Sequence, residues 1–346
     1  VTERNHVSYR YLGNKTRLAD WIVGIVADAL PRGASVADPM CGTAAMSIAF
    51  ARAGYKVTAA DALTFPVIHA RTRLLAKEPP PFLALGGYIA ALDWMATIGP
   101  EAGYFYREFS NDGSPANGRE PRRYFSGPNA AHIDAIRAGI RSLSQSGKLT
   151  MIEHSVLLHH LILATNKVAN ITGTYGYFRS TLSGPALRPL SFDPLQFENT
   201  PGEHTVRQGD VEKLGPTLGC DAVYLDPPYT KRQYAGNYHV LETLAQEDEP
   251  EAAGDGGLRP WTDQASDFCY RRAAGQAFRE TLKRLDAQHV FVSYSEDGQV
   301  SESELESILS DFGKVTLHEQ PHVRFRSNAR VKEGAVLERL YHVEAF

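Results

Sequence analysis

The stretch from Ser35 to Asp61 constrains the fold more than any other part of the chain. Ser35-Val36-Ala37 is a short strand-like run that stops at Asp38-Pro39. Gly42 then opens an Ala-rich segment that reads as a helix through Ala53 and is closed by Gly54. Lys56-Val57-Thr58-Ala59-Ala60 is a second strand-like run, ending in Asp61. Strand, turn, helix and strand in this order are the grammar of a parallel βαβ unit. In such sheets ligands gather beyond the carboxyl ends of the strands.

Helical spacing of Leu18, Ile22, Ile25, Val26 and Ala29 predicts a helix over 15–30, ended by Pro31 and Gly33. After Asp61 the alternation lapses. Residues 79–87 are rich in Pro and Gly, and 99–128 are crowded with Gly, Asn, Pro, Arg and aromatics. A long helical stretch is expected over about 129–169, followed by a second aromatic, Gly- and Pro-rich segment. Strand and helix alternate again from about 204. Asp221–Leu225 reads as a buried strand, with later strands at 289–294, 314–318 and 336–345 and helices at 271–285 and 302–310. The acidic, glycine-containing segment 246–260 reads as a mobile loop. The expected organisation is an α/β core formed by 1–78 and 203–346, interrupted by an insertion at 79–202. With 346 residues, 43% of them hydrophobic, the chain can bury such a core.

No apolar run approaches the roughly 20 residues of a membrane helix. The first residues, VTERNHVSYRYLGNK, lack the apolar centre of a signal peptide, so no membrane association and a cytoplasmic location are expected. The three cysteines, Cys41, Cys220 and Cys269, are far apart and form no CxxC pair. Neither a metal site nor a disulfide framework is indicated, and buried free thiols are expected. A formal net charge of -4 excludes a generally polycationic chain but not a local basic face. Candidate clusters are Arg119, Arg122 and Arg123; Lys231 and Arg232; and Arg324, Arg326, Arg330 and Lys332. A solvated surface is the plainer reading of each cluster alone.

The sharpest chemical signal is Asp226-Pro227-Pro228-Tyr229, directly after the apolar strand. Two prolines fix the backbone and remove two N–H donors while leaving their carbonyls to accept. A rigid loop carrying a carboxylate, a carbonyl and an aromatic ring suits a planar amine. Asp226 and the Pro227 carbonyl can each accept one amine hydrogen, and Tyr229 can stack on the ring. The competing reading is a proline-rich turn with Tyr229 as packing. Residues 36–45, Val-Ala-Asp-Pro-Met-Cys-Gly-Thr-Ala-Ala, place a Gly-containing turn before a helix N-terminus, which makes a nucleotide-edge pocket or a purely structural turn. The absence of GxGxxG argues against a dinucleotide site. Asp61, ending its strand, can accept from both hydroxyls of a ribose or cap the next helix. In Tyr11-Leu12-Gly13-Asn14-Lys15, Lys15 can meet a carboxylate or lie on the surface.

As a set and in this order, these motifs resemble the alpha-group DNA adenine-N6 methyltransferases, the Dam-like and DpnM-like class that includes modification enzymes of restriction systems. Tyr11, Gly13 and Lys15 match the family's opening motif, Asp38 through Thr43 its cofactor loop, and Asp226–Tyr229 its catalytic motif. Residues 166–178 and 232–243 resemble one branch of the class. One departure is visible: the loop usually ends Gly-x-Gly, whereas here it is Gly42-Thr43-Ala44. The resemblance implies a Rossmann-like class I methyltransferase sheet with an inserted, mainly helical target-recognition domain at 79–202. It implies S-adenosylmethionine as cofactor, held by Tyr11, Gly13, Lys15, Asp38, Pro39, Cys41, Gly42, Thr43 and Asp61. Asp210 and Val211 would line its adenine, although an N-cap role for Asp210 is an alternative.

The implied reaction is methylation of a flipped-out adenine in double-stranded DNA, with Asp226, Pro227, Pro228 and Tyr229 as the catalytic group and no metal. Arg119, Arg122, Arg123, Arg179, Lys231, Arg232, Arg324 and Arg326 are the candidate DNA contacts. A cognate restriction endonuclease or defence-system proteins are the implied partners. The motifs do not separate DNA from RNA adenine, nor an active enzyme from a non-catalytic member of the fold.

Overall fold

The computed structural model describes residues 11–323 and 335–346 and divides the chain into two compact units. Arg324, Arg326, Arg330 and Lys332 lie outside the described residues.

The sheet unit comprises Gly13–Ala70, Thr200–Tyr234 and Gln264–Phe346. Its strands are β1 (Ser35–Asp38), β2 (Lys56–Asp61), β3 (Thr205–Gln208), β4 (Ala222–Leu225), β5 (His289–Ser295), β6 (Gly313–Val323) and β7 (Ala335–Ala345). They are ordered β3-β2-β1-β4-β5-β7-β6. The first five are parallel, and β7 runs antiparallel between β5 and β6. This is the expected Rossmann-like class I methyltransferase sheet. The chain goes from β1 outward to β2 and β3 on one side, while β4 and β5 build the other. Strand order therefore reverses between β1 and β4, the point where such sheets open a ligand crevice.

The longer helices of this unit are α1 (Ala19–Ala29), α2 (Ala45–Arg52), α3 (Thr64–Ala70), α4 (Ala274–Arg284) and α5 (Glu302–Ser310), with a single turn at Val211–Leu214. Phe278 and Leu282 of α4 and Leu305 and Ile308 of α5 join Val223, Leu225, Val290 and Val292 in one apolar cluster. Burying each such side chain contributes about 1.5–3 kcal/mol. On the opposite face Phe50 of α2 packs edge-on against Tyr224, ring centroids 5.6 Å apart. All four residues of β4 are buried, as a parallel strand covered on both faces requires.

The helical unit contains Arg71–Asn199 and Ala235–Asp263, with the described residues 11–12. Its longer helices are Tyr88–Thr97, Gly127–Gln145, Met151–Val168 and His239–Gln246. The single helical stretch expected at 129–169 is two helices. Gly147, at φ 68°, leaves the first, and a Thr150–Glu153 capping box starts the second. Residues 235–263, read with the core from sequence, pack in this unit. His239 is buried there, 5.9 Å from the Phe109 ring. The segment 246–260, expected to be loose, is pinned. Arg259 pairs with Asp248 at 2.9 Å, the Tyr104 hydroxyl donates to the Pro250 carbonyl at 2.8 Å, and Arg122 donates to the Gly254 carbonyl at 3.0 Å. Among the described residues no helix is long and apolar enough to cross a membrane.

Candidate active site

Asp226 leaves the carboxyl end of β4 at the switch point. Lys15, expected either on the surface or against a carboxylate, is only 3% exposed and puts Nζ 2.9 Å from Asp226 Oδ1. The same ammonium stands 5.0 Å from the centre of the Tyr229 ring, a cation–π contact. Tyr229 is held edge-on by Tyr294 of β5, centroids 6.0 Å apart, and its carbonyl accepts the Gln299 N–H at 3.0 Å. Gly13, at φ 74°, lets the chain pass closely beneath this group: a Cβ there would meet the Tyr234 hydroxyl at 3.1 Å.

Burial pushes the Asp226 carboxyl above its ordinary range, and Lys15 opposes that shift. Burial alone would lower Lys15. Asp226, with smaller help from Tyr229, Tyr224 and Glu338, instead holds it well above its ordinary value, so the ammonium stays protonated.

The turn from β1 into α2 carries the expected cofactor loop. Asp38, Pro39, Cys41 and Thr43 are all buried. The Ser47 hydroxyl donates to Asp38 Oδ2 at 2.6 Å, and burial pushes this carboxyl up to about 7. Asp38 thus ties the strand to the first turn of α2. Gly42 (φ 50°) and Ala44 (φ 58°) are both left-handed, so Ala44 adopts the conformation for which the family loop uses glycine. Asp61, at the end of β2, braces the turn: Oδ2 accepts the Gly42 N–H at 3.0 Å and Oδ1 accepts the Leu63 N–H at 3.0 Å. The Asn14 side-chain amide donates to Thr43 Oγ1 at 3.4 Å, joining the opening motif to the loop.

These residues fit S-adenosylmethionine. The left-handed turn brings backbone to the switch point, the first turn of α2 presents N–H groups to a carboxylate, and Asp61 brings to the end of β2 a carboxylate, the acceptor that a ribose diol calls for.

Of the remaining candidates, Asp210 follows Gly209, whose N–H donates to the Asp61 carbonyl at 2.9 Å, so it stands at the same strand ends. Asp210 is an N-cap, accepting the Glu212 N–H at 2.8 Å, and Val211 is buried in the apolar cluster. Tyr11 belongs to the helical unit and stacks on Tyr238, centroids 5.0 Å apart. Arg122, grouped with the DNA contacts from sequence, is corrected by the structure. It is fully buried and bound to Glu108 Oε2 at 2.7 Å and to the carbonyls of Glu108, Gly254 and Asp255. Arg119 is exposed and paired with Asp255, Arg123 is half-exposed, and Arg179, Lys231 and Arg232 are exposed. Arg324 and Arg326 lie outside the described residues. Cys41 and Cys269 are buried free thiols, and Cys220 is half-buried.

Sequence reading missed Glu338 of β7, which is buried and acts electrostatically on Lys15, Asp226 and Tyr229. The available signal was parity: Glu338 alternates with Leu340 and His342, so a buried face carries a carboxylate.

The chain resembles several curated proteins. It is 30% identical over 341 residues to the type II methyltransferase M.FokI of Planomicrobium okeanokoites, covering 97% of this chain and 52% of that protein. With the type II methyltransferase M.NlaIII of Neisseria lactamica it shares 29% identity over 341 residues, covering 96% and 98%. With the modification methylase LlaI of Lactococcus lactis subsp. lactis the identity is 31% over 335 residues, covering 94% and 53%. The chain therefore spans about half the length of M.FokI and LlaI and nearly all of M.NlaIII. The family profile matches residues 11–303, and the chain belongs to the D12 class N6 adenine-specific DNA methyltransferases.

Proposed function

We propose that this protein transfers a methyl group from S-adenosylmethionine to the exocyclic N6 amine of a flipped-out adenine at a specific site in duplex DNA, as the modification enzyme of a restriction or related defence system. The observation that carries this reading is the pair of buried Lys15 with Asp226 at the head of Asp-Pro-Pro-Tyr, set at the sheet's switch point beside the β1–α2 loop.

When bound, the cofactor supplies an electrophilic methyl group on a sulfonium. The chain's own residues must then make a poor nucleophile competent and hold it in line. The adenine amine is weakly nucleophilic because its lone pair is delocalised into the ring. Asp226 and the Pro227 carbonyl accept its two hydrogens, which favours a pyramidal nitrogen and stabilises the positive charge developing there; one of these hydrogens leaves as a proton after transfer, giving the neutral methylated amine. Lys15 occupies Oδ1 of Asp226 and opposes the upward shift that burial gives its carboxyl, favouring the ionised form. Tyr229, pinned by Tyr294 and Lys15, offers its ring to the extruded base. Such stacking is worth about 1–3 kcal/mol and offsets part of the cost of flipping. Asp38, Asp61 and the Gly42–Ala44 turn hold the cofactor's end of the crevice.

Residues 79–202, the bulk of the helical unit, select the sequence, with Arg119, Arg123 and Arg179 as candidate readers of base edges. A bidentate arginine–guanine contact contributes about 1–3 kcal/mol of discrimination. A cognate restriction endonuclease is the partner this role calls for. Expression of the chain in a host free of adenine methylation, followed by sequencing of modified bases, tests the reading. N6-methyladenine at one recurrent site is expected, and a genome without it, or methylation confined to RNA, contradicts the proposal.

A further inference from the structure

Val223 and Leu225 of β4, Val290, Val292 and Tyr294 of β5 and Tyr341 and Val343 of β7 share one apolar face of the sheet. Side chains alternate along a strand, so Tyr224, Ser293, Ser295 and Glu338 belong to the opposite face, the one on which Phe50 meets Tyr224. All four are buried, forming a polar row inside the protein at the strand ends from which Asp226 emerges. Register places Glu338 directly across from Ser295, the last residue of β5. Its side chain is only 8% exposed, and its Oε2 has no hydrogen-bond partner among the described residues. A carboxyl oxygen left unpaired in such a place is costly unless a cation stands near. Lys15, paired with Asp226 at 2.9 Å, is the cation coupled electrostatically to Glu338, with no ion pair between the two among the described residues.

We propose that Glu338 is a positioning residue of the methyl-transfer site. With Asp226 it places two carboxylates in the field of the Lys15 ammonium, Asp226 in direct contact and Glu338 at longer range, and leaves the site one negative charge in excess, where the target amine becomes cationic. This inference rests on the adenine reading above. The charged and titratable groups at this end of the face are Lys15 ahead of α1, Tyr224 on β4, Asp226 and Tyr229 in the loop after it, and Glu338 on β7, with Asp38 of β1 acting on Tyr224; farther along the same face lie His289 of β5, His342 and Glu344 of β7, and Lys314 and His318 of β6. Among these, Glu338 raises both Asp226 and Lys15. Removing its charge lets Asp226 ionise at lower pH while weakening the field that stabilises the cationic amine.

The test compares wild type with Glu338→Gln on the full chain, using single-turnover methyl transfer to duplex DNA across pH, cofactor affinity by calorimetry, and carbon-13 NMR titration of the Asp226 carboxyl. Glu338→Gln is expected to lower kcat by about tenfold or more, to keep cofactor affinity within about twofold because no direct cofactor contact is lost, and to move both the acid limb and the Asp226 titration to lower pH. An active wild type with an equally active variant and an unmoved profile overturns the proposal and leaves the adenine reading intact. A wild type inactive on every duplex, with the Asp226 titration still lowered in the variant, supports the coupling of Glu338 to the Lys15–Asp226 pair and removes the adenine reading. Should Glu338→Gln fail to fold, Glu338→Asp serves. Its retained charge keeps the acid limb near that of wild type while its shorter reach lowers kcat, and an unchanged kcat overturns the proposal.

Discussion

Lys15 and Asp226, 2.9 Å apart, join a turn ahead of α1 to the loop after β4, so a charge pair far apart in sequence closes the centre of the sheet unit. Burial raises the carboxylate and the ammonium opposes that shift, so the pair sets how readily Asp226 stays ionised.

Lys15→Met should abolish most methyl transfer and move its acid limb to higher pH, because burial then acts on Asp226 unopposed. Stability should follow the same sign. A carboxyl raised in the folded state favours the fold at low pH and weakens it as pH rises through the folded value. The variant should therefore be nearly as stable as wild type at acid pH and lose about 3–5 kcal/mol once Asp226 must ionise unpaired. Chemical denaturation at both ends of the range measures this, and an equal loss at both pH values contradicts it.

Asp38 supplies a second pH signature. Its carboxyl titrates at about 7 in the fold against 3.8 ordinarily, so its contribution is full below pH 4 and is lost as pH rises through 7. At about 1.4 kcal/mol per pKa unit this amounts to a few kcal/mol. Asp38→Asn can still accept from Ser47, and it should gain on wild type between pH 5 and 8. Melting curves in which the two proteins lose stability in parallel over that window count against the assignment.

Ala44 sits at φ 58° and ψ 28°, a conformation that costs an L-residue about 1–2 kcal/mol. Ala44→Gly should relieve that strain and raise the melting temperature with cofactor affinity retained. A lower melting temperature shows that the alanine methyl packs well enough to outweigh the strain.

The arginines of the helical unit should separate into two classes. Arg122→Met removes a buried guanidinium from Glu108 and three carbonyls and should destabilise the fold by about 3–5 kcal/mol without altering the methylated sequence. Arg179→Ala removes an exposed side chain and should leave stability unchanged while relaxing sequence preference or weakening DNA binding. Denaturation and modified-base sequencing on both variants decide the matter, and the reverse pattern contradicts the division.

The β1–α2–β2 unit was legible in the sequence because strand, glycine turn and helix each carry a local signal within a short span. The Asp-Pro-Pro-Tyr loop was legible for the same reason. Lys15 showed only as an option, since nothing local says which carboxylate it meets. Arg122 was misplaced because composition reports a cluster of arginines and not which one folds inward. The helix Tyr88–Thr97 was hidden by the Pro- and Gly-rich segment before it. Glu338 was passed over because a charged residue within a strand reads as solvent-facing until its neighbours across the sheet are known.

The central claim is that Asp226 acts on the target amine while other residues hold the cofactor. The direct measurement is mass-spectrometric quantitation of N6-methyladenine formed in duplex DNA by wild type and Asp226→Ala, with S-adenosylmethionine affinity determined for both proteins. The account predicts product from wild type alone and affinities within about 1 kcal/mol of each other, the net worth of an ordinary hydrogen bond. Undiminished product from Asp226→Ala, or product lost only because the cofactor no longer binds, contradicts it.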